Sequence, residues 1–339
     1  MDITLKTLAS LALAALLLPA LGGCSCGFDC NNDRSDDKPS FLSLGFSDES
    51  LEELKQVVIE VDRITLQRTG ADDVVVDTFT IDELDLVDAE SFQMDLLDYR
   101  GLNQLLVVED LELRATSYSQ LSISILDGDI NRSYVQESDD SLKPITVSGG
   151  VLTLPGPSLT SGDQLFTVEF GLAQALQFQQ SADNYLLTST GVRVMDNATS
   201  ASLSGRVDNT LFDTEEPCSA KTDPEAGNRI YLYSDSNLPL DELGDVFTSA
   251  SVDPIPAGKR APYAVASMAE DVLTGSWQYS FGYIAEGDYT LAFSCDAADD
   301  DPVNYDGITI PLPGDQLYDI QLSEAELAIC DLAQDAQCE

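Results

Sequence analysis

The sequence predicts an all-β protein made of two antiparallel β-sandwich domains. Three observations support this prediction: apolar and polar residues alternate over short runs, Gly- and Pro-containing turn signals separate these runs, and no helical period is sustained in the middle of the chain. Alternation of period two buries one face of a strand, and regularly spaced turns are typical of sandwiches. A chain of 339 residues exceeds what one hydrophobic core usually organises, which favours two domains.

The chain begins with a secretory signal. Residues 7–21 form an apolar run that follows Lys6, precedes the small residues Gly22 and Gly23, and is too short to span a membrane. These features predict a cleaved signal peptide at residues 1–23. No second apolar run in the sequence has the length of a transmembrane helix.

The end of this signal carries a lipidation motif. The sequence Leu-Gly-Gly-Cys, from Leu21 to Cys24, resembles the lipobox of bacterial lipoproteins, in which cleavage before the cysteine is coupled to acylation of its thiol. The resemblance implies that Cys24 is the lipidated mature N-terminus, so that the protein contacts the membrane through acyl chains. It also implies an outer-membrane anchor, because Ser25 is not the aspartate that retains such lipoproteins at the inner membrane.

Residues 24–39 are small and polar and are expected to form a flexible tether. Six cysteines remain after Cys24, an even number that predicts three disulfides in an exported protein and allows fifteen connectivities. Proximity in the sequence favours disulfides between Cys26 and Cys30 and between Cys330 and Cys338. Cys218 would then pair with Cys295. A cysteine-ligated metal site is the alternative, although the chain lacks histidine.

The first β-sandwich is expected over residues 40–198. Two of its strands are indicated by apolar residues at every second position, namely Val57, Ile59 and Val61 in one run and Leu121, Ile123 and Ile125 in another. Turn signals lie between the runs, at Thr69-Gly70, Asp127-Gly128, Ser148-Gly149-Gly150 and Pro155-Gly156-Pro157.

The second β-sandwich is expected over residues 201–323. Its clearest strand places Trp277, Tyr279, Phe281 and Tyr283 at strict period two. Such a row is more often core than a sugar-stacking surface, so Trp277 is retained only as a candidate ligand contact. After this sandwich, the capping box that starts at Ser323 predicts a short helix in a disulfide-closed tail at residues 324–339.

Composition excludes several function classes. With 60 acidic residues against 16 Lys and Arg, the net charge of −44 repels phosphates and excludes polynucleotide binding. The absence of histidine removes Ser-His-Asp and Cys-His catalysis and every His-ligated metal site. No nucleophile elbow or phosphate loop occurs, so we expect no enzyme; a glycoside hydrolase that uses two carboxylates is the catalytic alternative.

One acidic cluster is a candidate calcium site, and calcium is the only cofactor we consider. Five carboxylates fall within eleven positions beside a cysteine, and a hard cation would relieve their mutual repulsion. Simple solvation is the alternative, since acid-rich surfaces are common in proteins exposed to high salt. The residues are Asp296, Asp299, Asp300, Asp301 and Asp306.

The segment from about Pro39 to Asp196 resembles domain of unknown function 4382, a family found in bacterial exported lipoproteins. The resemblance rests on Gly45 to Asp48 before the Val57–Leu66 run, and on Asp95-Leu96-Leu97, Tyr118 to Leu121 and Tyr185 to Arg193. The second half resembles transthyretin-like or carboxypeptidase-regulatory-like sandwiches through Ser204 to Val207 and Glu286 to Leu291. These resemblances imply an address and a fold, and no catalytic residue.

Together these features predict a bacterial outer-membrane lipoprotein with a non-catalytic binding or structural role in the envelope. The expected partners are the membrane, through the acyl chains on Cys24, and an envelope protein or a glycan. A calcium-dependent adhesin or carbohydrate-binding protein is the alternative in the same class.

Overall fold

A computed structural model describes residues 38–49, 54–214, 216, 218–271, 273–333 and 338. These residues belong to one compact unit that spans Ser35–Glu339. They form 23 strands and one helical turn of α type, which confirms the all-β prediction. None of the helices in this part of the chain is long and apolar enough to cross a membrane.

The first half of the protein contains fifteen strands and the only α-helical turn of the described residues. The strands are β1 (Pro39–Asp48), β2 (Leu54–Gln67), β3 (Val74–Val76), β4 (Phe79–Ile81), β5 (Leu86–Ala89), β6 (Phe92–Asp95), β7 (Leu105–Arg114), β8 (Gln120–Ile125), β9 (Tyr134–Glu137), β10 (Leu142–Val147), β11 (Val151–Pro155), β12 (Gly162–Phe170), β13 (Leu176–Gln179), β14 (Asn184–Leu187) and β15 (Val192–Asp196), with α1 (Leu172–Ala175) between β12 and β13.

The second half contains the remaining strands. They are β16 (Ala201–Val207), β17 (Arg229–Ser234), β18 (Ala264–Ser267), β19 (Ala269–Asp271), β20 (Ser276–Ile284), β21 (Gly287–Ser294), β22 (Leu317–Leu322) and β23 (Leu327–Ile329). Short 3-10 turns lie at Asp82–Leu84, Leu96–Asp98, Ser148–Gly150 and Cys218–Ala220, and a π-helical turn lies at Thr210–Thr214.

Each half has two main sheets. In the first half a four-stranded sheet, β15-β12-β1-β7, accompanies a nine-stranded sheet built around β2 and β8; β4 and β5 form a separate pair. In the second half the orders are β19-β20-β16-β23 and β18-β17-β21-β22. Most neighbouring strands are antiparallel, as predicted, but β1 with β12, β10 with β14 and β16 with β23 pair in parallel.

The buried apolar side chains of the described residues form two hydrophobic clusters. One contains the inward residues of both sheets of the first half and continues into the second half through Tyr231, Tyr233 and Val265. The other lies between the two main sheets of the second half, around Leu203, Phe281 and Phe293. The domain limits at residues 40–198 and 201–323 stay a prediction, although the chain does pass from β15 to β16, and so between sheets, near residue 200.

The predicted helix in the C-terminal tail is wrong. Residues Leu327–Ile329 form β23, whose register places Leu327 opposite Ser202 and Ile329 opposite Ser204 on β16. The backbone turns at Ala325, which has a φ of 57°, and this left-handed conformation interrupts a right-handed helix. The main-chain groups therefore find their hydrogen-bond partners on β16 instead of within the tail.

Candidate functional site

Two of the three predicted disulfides lie in the described part of the protein. Cys218 is bonded to Cys295, with their Cα atoms 5.8 Å apart, and Cys330 is bonded to Cys338 with a Cα separation of 4.1 Å. Cys295 directly follows β21, so its disulfide ties the 3-10 turn at Cys218 to the end of that strand. Cys24, Cys26 and Cys30 lie outside the described residues, so the lipidation of Cys24 and the disulfide between Cys26 and Cys30 stay predictions.

The five aspartates of the candidate calcium cluster do not form a common site. Asp296 and Asp299 are exposed. Asp301 Oδ1 accepts hydrogen bonds from the backbone N–H groups of Val303 and Asn304, at 2.8 and 2.9 Å, and so shapes its own turn. Among the residues that the structure describes, no group of three or more acidic or cysteine side chains could hold a metal ion.

Asp300, in contrast, points into the protein. Its carboxylate accepts a hydrogen bond from the Tyr231 hydroxyl at 2.6 Å and one from the Val246 backbone N–H at 3.1 Å, and it lies 3.4 Å from the Arg229 guanidinium. Burial, opposed by Arg229, raises the pKa of Asp300 to about 6. Asp300 is therefore a buried anchor of the loop that carries it, and it is not exposed to bind a cation.

A second buried aspartate, which the sequence did not single out, has the same role. Asp245 is fully buried, and its Oδ2 accepts hydrogen bonds from the backbone N–H groups of Asp306 and Ile308 at 3.0 and 2.9 Å. Burial, as the largest cause, raises the pKa of Asp245. Asp245 and Asp300 thus each reach from one long loop to another.

These two loops, residues 235–263 between β17 and β18 and residues 295–316 between β21 and β22, are called here the two-loop platform. Neither contains a strand or helix. Thr248 donates its backbone N–H to Val303 O at 3.0 Å, and the rings of Phe247 and Tyr305 meet edge to face with centroids 5.8 Å apart. The loops are therefore packed against each other.

The platform covers one face of the sheet β18-β17-β21-β22. Tyr231 and Tyr233 of β17 are fully buried, in one hydrophobic cluster with Leu243 and Val246 of the first loop and Ile310 of the second. The Tyr233 hydroxyl donates a hydrogen bond to Gly244 O at 2.6 Å. The inner side of the platform is thus held both by apolar packing and by polar contacts.

The outer side of the platform exposes apolar residues among carboxylates. Val252 is 86% exposed and Leu240 is 55% exposed. Asp253, Asp299 and Asp301 lie close enough to Asp306 to raise its pKa, after burial as the first cause. Exposed apolar side chains and carboxylates on the same pair of loops suit a partner that carries complementary apolar and cationic groups.

The aromatic row on β20 is mostly core. Tyr279, Phe281 and Tyr283 are at most 4% exposed. Trp277 is half-buried; its ring meets Phe212 edge to face with centroids 5.7 Å apart, and it lines a cavity of about 370 Å³ with Asn209. Trp277 therefore stays a candidate ligand contact, at an open cavity rather than on a platform of several rings.

Three buried acids and two half-buried arginines, called here the junction, lie around the ends of β1 and β12: Asp48, Glu49, Arg100, Glu169 and Arg193. The three acids are at most 1% exposed. Glu49 pairs with Arg193 and accepts a hydrogen bond from the Val265 backbone N–H at 3.4 Å. The side-chain oxygens of Asp48 and Glu169 accept no hydrogen bond of good geometry; the Leu172 backbone N–H near Asp48 and the Ser47 hydroxyl near Glu169 only partly oppose the rise in their pKa values.

The pKa values of Asp48 and Glu169 are raised well above the ordinary carboxyl range. For Asp48 the causes are burial and then the neighbouring Glu169 and Glu49, with Arg100 opposing; for Glu169 they are burial and then Glu49, with Arg193 opposing. Neither residue lines any of five surface cavities, of about 370 to about 710 Å³, that the described residues form. A sugar bound in one of these cavities would not touch either carboxyl.

Comparison with known protein families finds a match in the first half of the chain. Residues 40–189, from β1 through β14, match the model of a domain of unknown function, DUF4382, as the resemblance in the sequence predicted. The match covers less than half of the chain and brings no catalytic assignment. No curated protein matches the sequence significantly.

Several solved structures are similar to the chain at low identity. A leucine-rich repeat protein from Bacteroides thetaiotaomicron is 11% identical with a TM-score of 0.20, over 87% of this chain and 26% of its own. The major pilin subunit of Bacillus cereus is 10% identical with a TM-score of 0.18, over 88% and 70%. The tip fimbrial protein Mfa3 from Porphyromonas gingivalis is 9% identical with a TM-score of 0.19, over 89% and 98%. This chain spans about a quarter of the first of these proteins.

Proposed function

We propose that this protein is a bacterial outer-membrane lipoprotein that binds a partner in the envelope without catalysing a reaction. The anchor would be the acylated Cys24, which the Leu-Gly-Gly-Cys sequence supports. Two or three acyl chains give the stable attachment that one chain does not. The tether from residue 24 to residue 39 would then separate the bilayer from the folded unit.

The observation that carries a binding role is the two-loop platform. Loops longer than about 15 residues without secondary structure are uncommon in compact domains and are usually functional when they are ordered. Here the loops are held by Asp245, Asp300 and the Cys218–Cys295 disulfide. A surface that is already ordered loses less conformational entropy when it binds, which favours recognition.

The available side chains and their burial disfavour catalysis. The chain has no histidine, and the carboxyls with the most strongly raised pKa values, Asp48 and Glu169, are fully buried. A glycosidase needs its acid and its nucleophile or base on either side of a bound sugar. We therefore place the functional surface on the loops and not at a buried acid pair.

Glycan binding is the second candidate function, and Trp277 supports it. The indole ring borders an open cavity together with polar side chains, and stacking of an aromatic ring on a sugar is a common recognition mode. Trp277→Ala would abolish glycan binding at this cavity and leave binding by the platform unchanged. Binding of envelope polysaccharide by both the wild type and Trp277→Ala would exclude this second role.

The anchor is tested by fractionating cells that express the wild type or Cys24→Ser. We expect the wild type to sediment with outer membranes and the variant, whose hydroxyl cannot form the thioether, to leave that fraction. A control variant, Ser25→Asp, should move the protein to the inner membrane if the residue after the cysteine directs sorting. An unchanged distribution of Cys24→Ser would overturn the proposed anchor.

The platform is tested with a matched pair of substitutions at exposed apolar residues. Val252 lies on the platform and is 86% exposed, whereas Leu273 lies on the β19–β20 turn and is 92% exposed. We expect Val252→Asp to weaken binding of the lipid-free mature chain to isolated outer-membrane vesicles about tenfold, and Leu273→Asp to leave it unchanged. Equal binding by both variants and the wild type would show that the platform is not the binding surface.

A further inference from the structure

The junction contains more acidic side chains than basic ones. If all its groups were ionised, Asp48, Glu49 and Glu169 would carry three negative charges against the two positive charges of Arg100 and Arg193. Glu49 already takes the Arg193 guanidinium as its ion-pair partner. An ionised carboxylate that is removed from water and lacks hydrogen bonds is strongly disfavoured, so the neutral acid is the form that fits such a site.

The two unsatisfied acids lie on neighbouring strands but on opposite faces of one sheet. Glu169 of β12 pairs in register with Ser47 of β1 and with Arg193 of β15. Asp48 pairs in register with Phe170, one position further along. Because side chains alternate between faces along a strand, Glu169 shares the face of Arg193, whereas Asp48 lies on the other face.

The Arg193 face of this sheet contacts the second half. The Arg193 guanidinium lies 4.9 Å from the ring centroid of Tyr263. Tyr283 of β20 donates its hydroxyl to Leu102 O at 2.8 Å, and Glu169 lies near enough to contribute to the raised pKa of Tyr283, for which burial is the main cause. The charged groups around the two acids are Glu49, Arg100 and Arg193; Tyr283 lies near Glu169, and Tyr263 lies against Arg193.

The same contacts hold one end of the two-loop platform. Gln174 of α1 donates its side-chain N–H to Pro262 O at 2.9 Å, and Val265, at the start of β18, donates its backbone N–H to Glu49. Pro262 and Tyr263 are the last residues of the first platform loop. A change of charge in the junction thus acts directly where this loop joins the sheet.

We propose that the junction is an acid-strengthened lock, in which Asp48 and Glu169 hold protons while the two halves are closed on each other and loss of these protons loosens the contact at Pro262–Val265. The lock is a property of the fold and operates whether or not the platform binds a partner. Ionisation of Glu169 would place a second negative charge near Glu49, and ionisation of both acids would give the junction three negative charges against two positive ones. The repulsion would weaken the hydrogen bond that Glu49 accepts from the Val265 backbone N–H.

The sign of the pH dependence follows from the raised pKa of each acid. Both groups ionise near pH 4 in the unfolded chain, but at higher pH in the folded protein. Their contribution to stability is complete below about pH 4 and is lost as the pH rises through the folded-state pKa values. Each retained proton changes the folding equilibrium up to about tenfold per pH unit in that window.

The experiment compares the wild type with Glu169→Gln and Asp48→Asn from pH 4 to pH 8, by urea unfolding at constant ionic strength. The amides keep the shape of the neutral acids and cannot ionise. As the pH rises, we expect the ratio of each variant's folding equilibrium constant to that of the wild type to increase by up to about tenfold per pH unit. Asp288→Asn, which removes an exposed charge on β21, is the control for general charge effects and should not do so.

Hydrogen exchange shows which part of the backbone loosens when the two acids ionise. At pH 8 the backbone amides of Ala264–Ser267 should exchange faster in the wild type than in Glu169→Gln, whereas at pH 5 the two proteins should exchange alike. Parallel pH profiles of the wild type and both variants would overturn the lock. So would a gain by Asp288→Asn equal to that of the junction variants, because it would assign the pH dependence to overall charge.

Discussion

The two disulfides offer a quantitative test of how the second half is stabilised, because they close loops of very different length. Cys218 and Cys295 are separated by 77 positions, and Cys330 and Cys338 by 8. In the chain-entropy model the longer loop stabilises the fold by about 4.5 kcal/mol and the shorter by about 2.5 kcal/mol at 25 °C. Replacing Cys218 and Cys295 by alanine should therefore cost about 2 kcal/mol more than replacing Cys330 and Cys338.

The assay is urea unfolding of the lipid-free mature chain, with the wild type and the two double-alanine variants measured side by side. Both substitutions remove the same atoms, so the difference between the variants reports mainly the loop that each disulfide closes. Non-reducing peptide mapping of the wild type confirms which cysteines are bonded. An equal or larger loss of stability in the variant that lacks Cys330 and Cys338 would show that loop length does not set the contribution of these disulfides.

Three further predictions address the contact between the two halves and the platform loops. Gly282→Ala should destabilise the protein by about 2 kcal/mol or more, because the new Cβ would lie 1.9 Å from Gly101 O, whereas Gly314→Ala meets open space and should be neutral in the same unfolding assay. Asp300 should titrate near pH 6, so its contribution to stability should fall as the pH rises through that value; a carboxyl carbon NMR titration midpoint near 4 would contradict its burial. Calcium and magnesium should shift the thermal midpoint equally at fixed ionic strength, because the five clustered aspartates share no site, and a saturable rise with calcium alone would contradict this.

The strands were predictable because burial of one face of a strand produces an alternation of apolar and polar residues in the sequence. Leu121, Ile123 and Ile125 alternate with half-buried polar residues along β8. Tyr279 and Phe281 alternate in the same way along β20. Such a trace depends only on the chain's own side chains, so it can be interpreted without knowing the partner strand.

The predicted helix in the tail does not form because pairing with the distant strand β16 outweighs the local capping signal. The capping box is formed in part, since Glu326 Oε2 accepts a hydrogen bond from the Ser323 backbone N–H at 2.6 Å. The residues that follow it, however, pair with β16 over Leu327–Ile329. A free strand edge elsewhere in the fold offers hydrogen bonds that no local sequence pattern reveals.

The candidate site was the least predictable part. Asp245 and Asp300 look like two of many surface acids in a chain with 60 of them, and only the fold shows that both are buried. The junction acids are equally hidden, because Asp48 and Glu169 are 121 positions apart in the sequence and become neighbours only when β1 and β12 pair in parallel. Burial of isolated acids arises from long-range packing, which period and composition do not report.

Mass spectrometry of the N-terminal peptide, from protein purified out of outer membranes, tests the proposed anchor at Cys24. We expect a peptide that begins at Cys24 and carries a diacylglyceryl group on its sulfur, with or without an amide-linked acyl chain. A peptide that begins elsewhere, or a Cys24 with a free thiol or a disulfide, would contradict it.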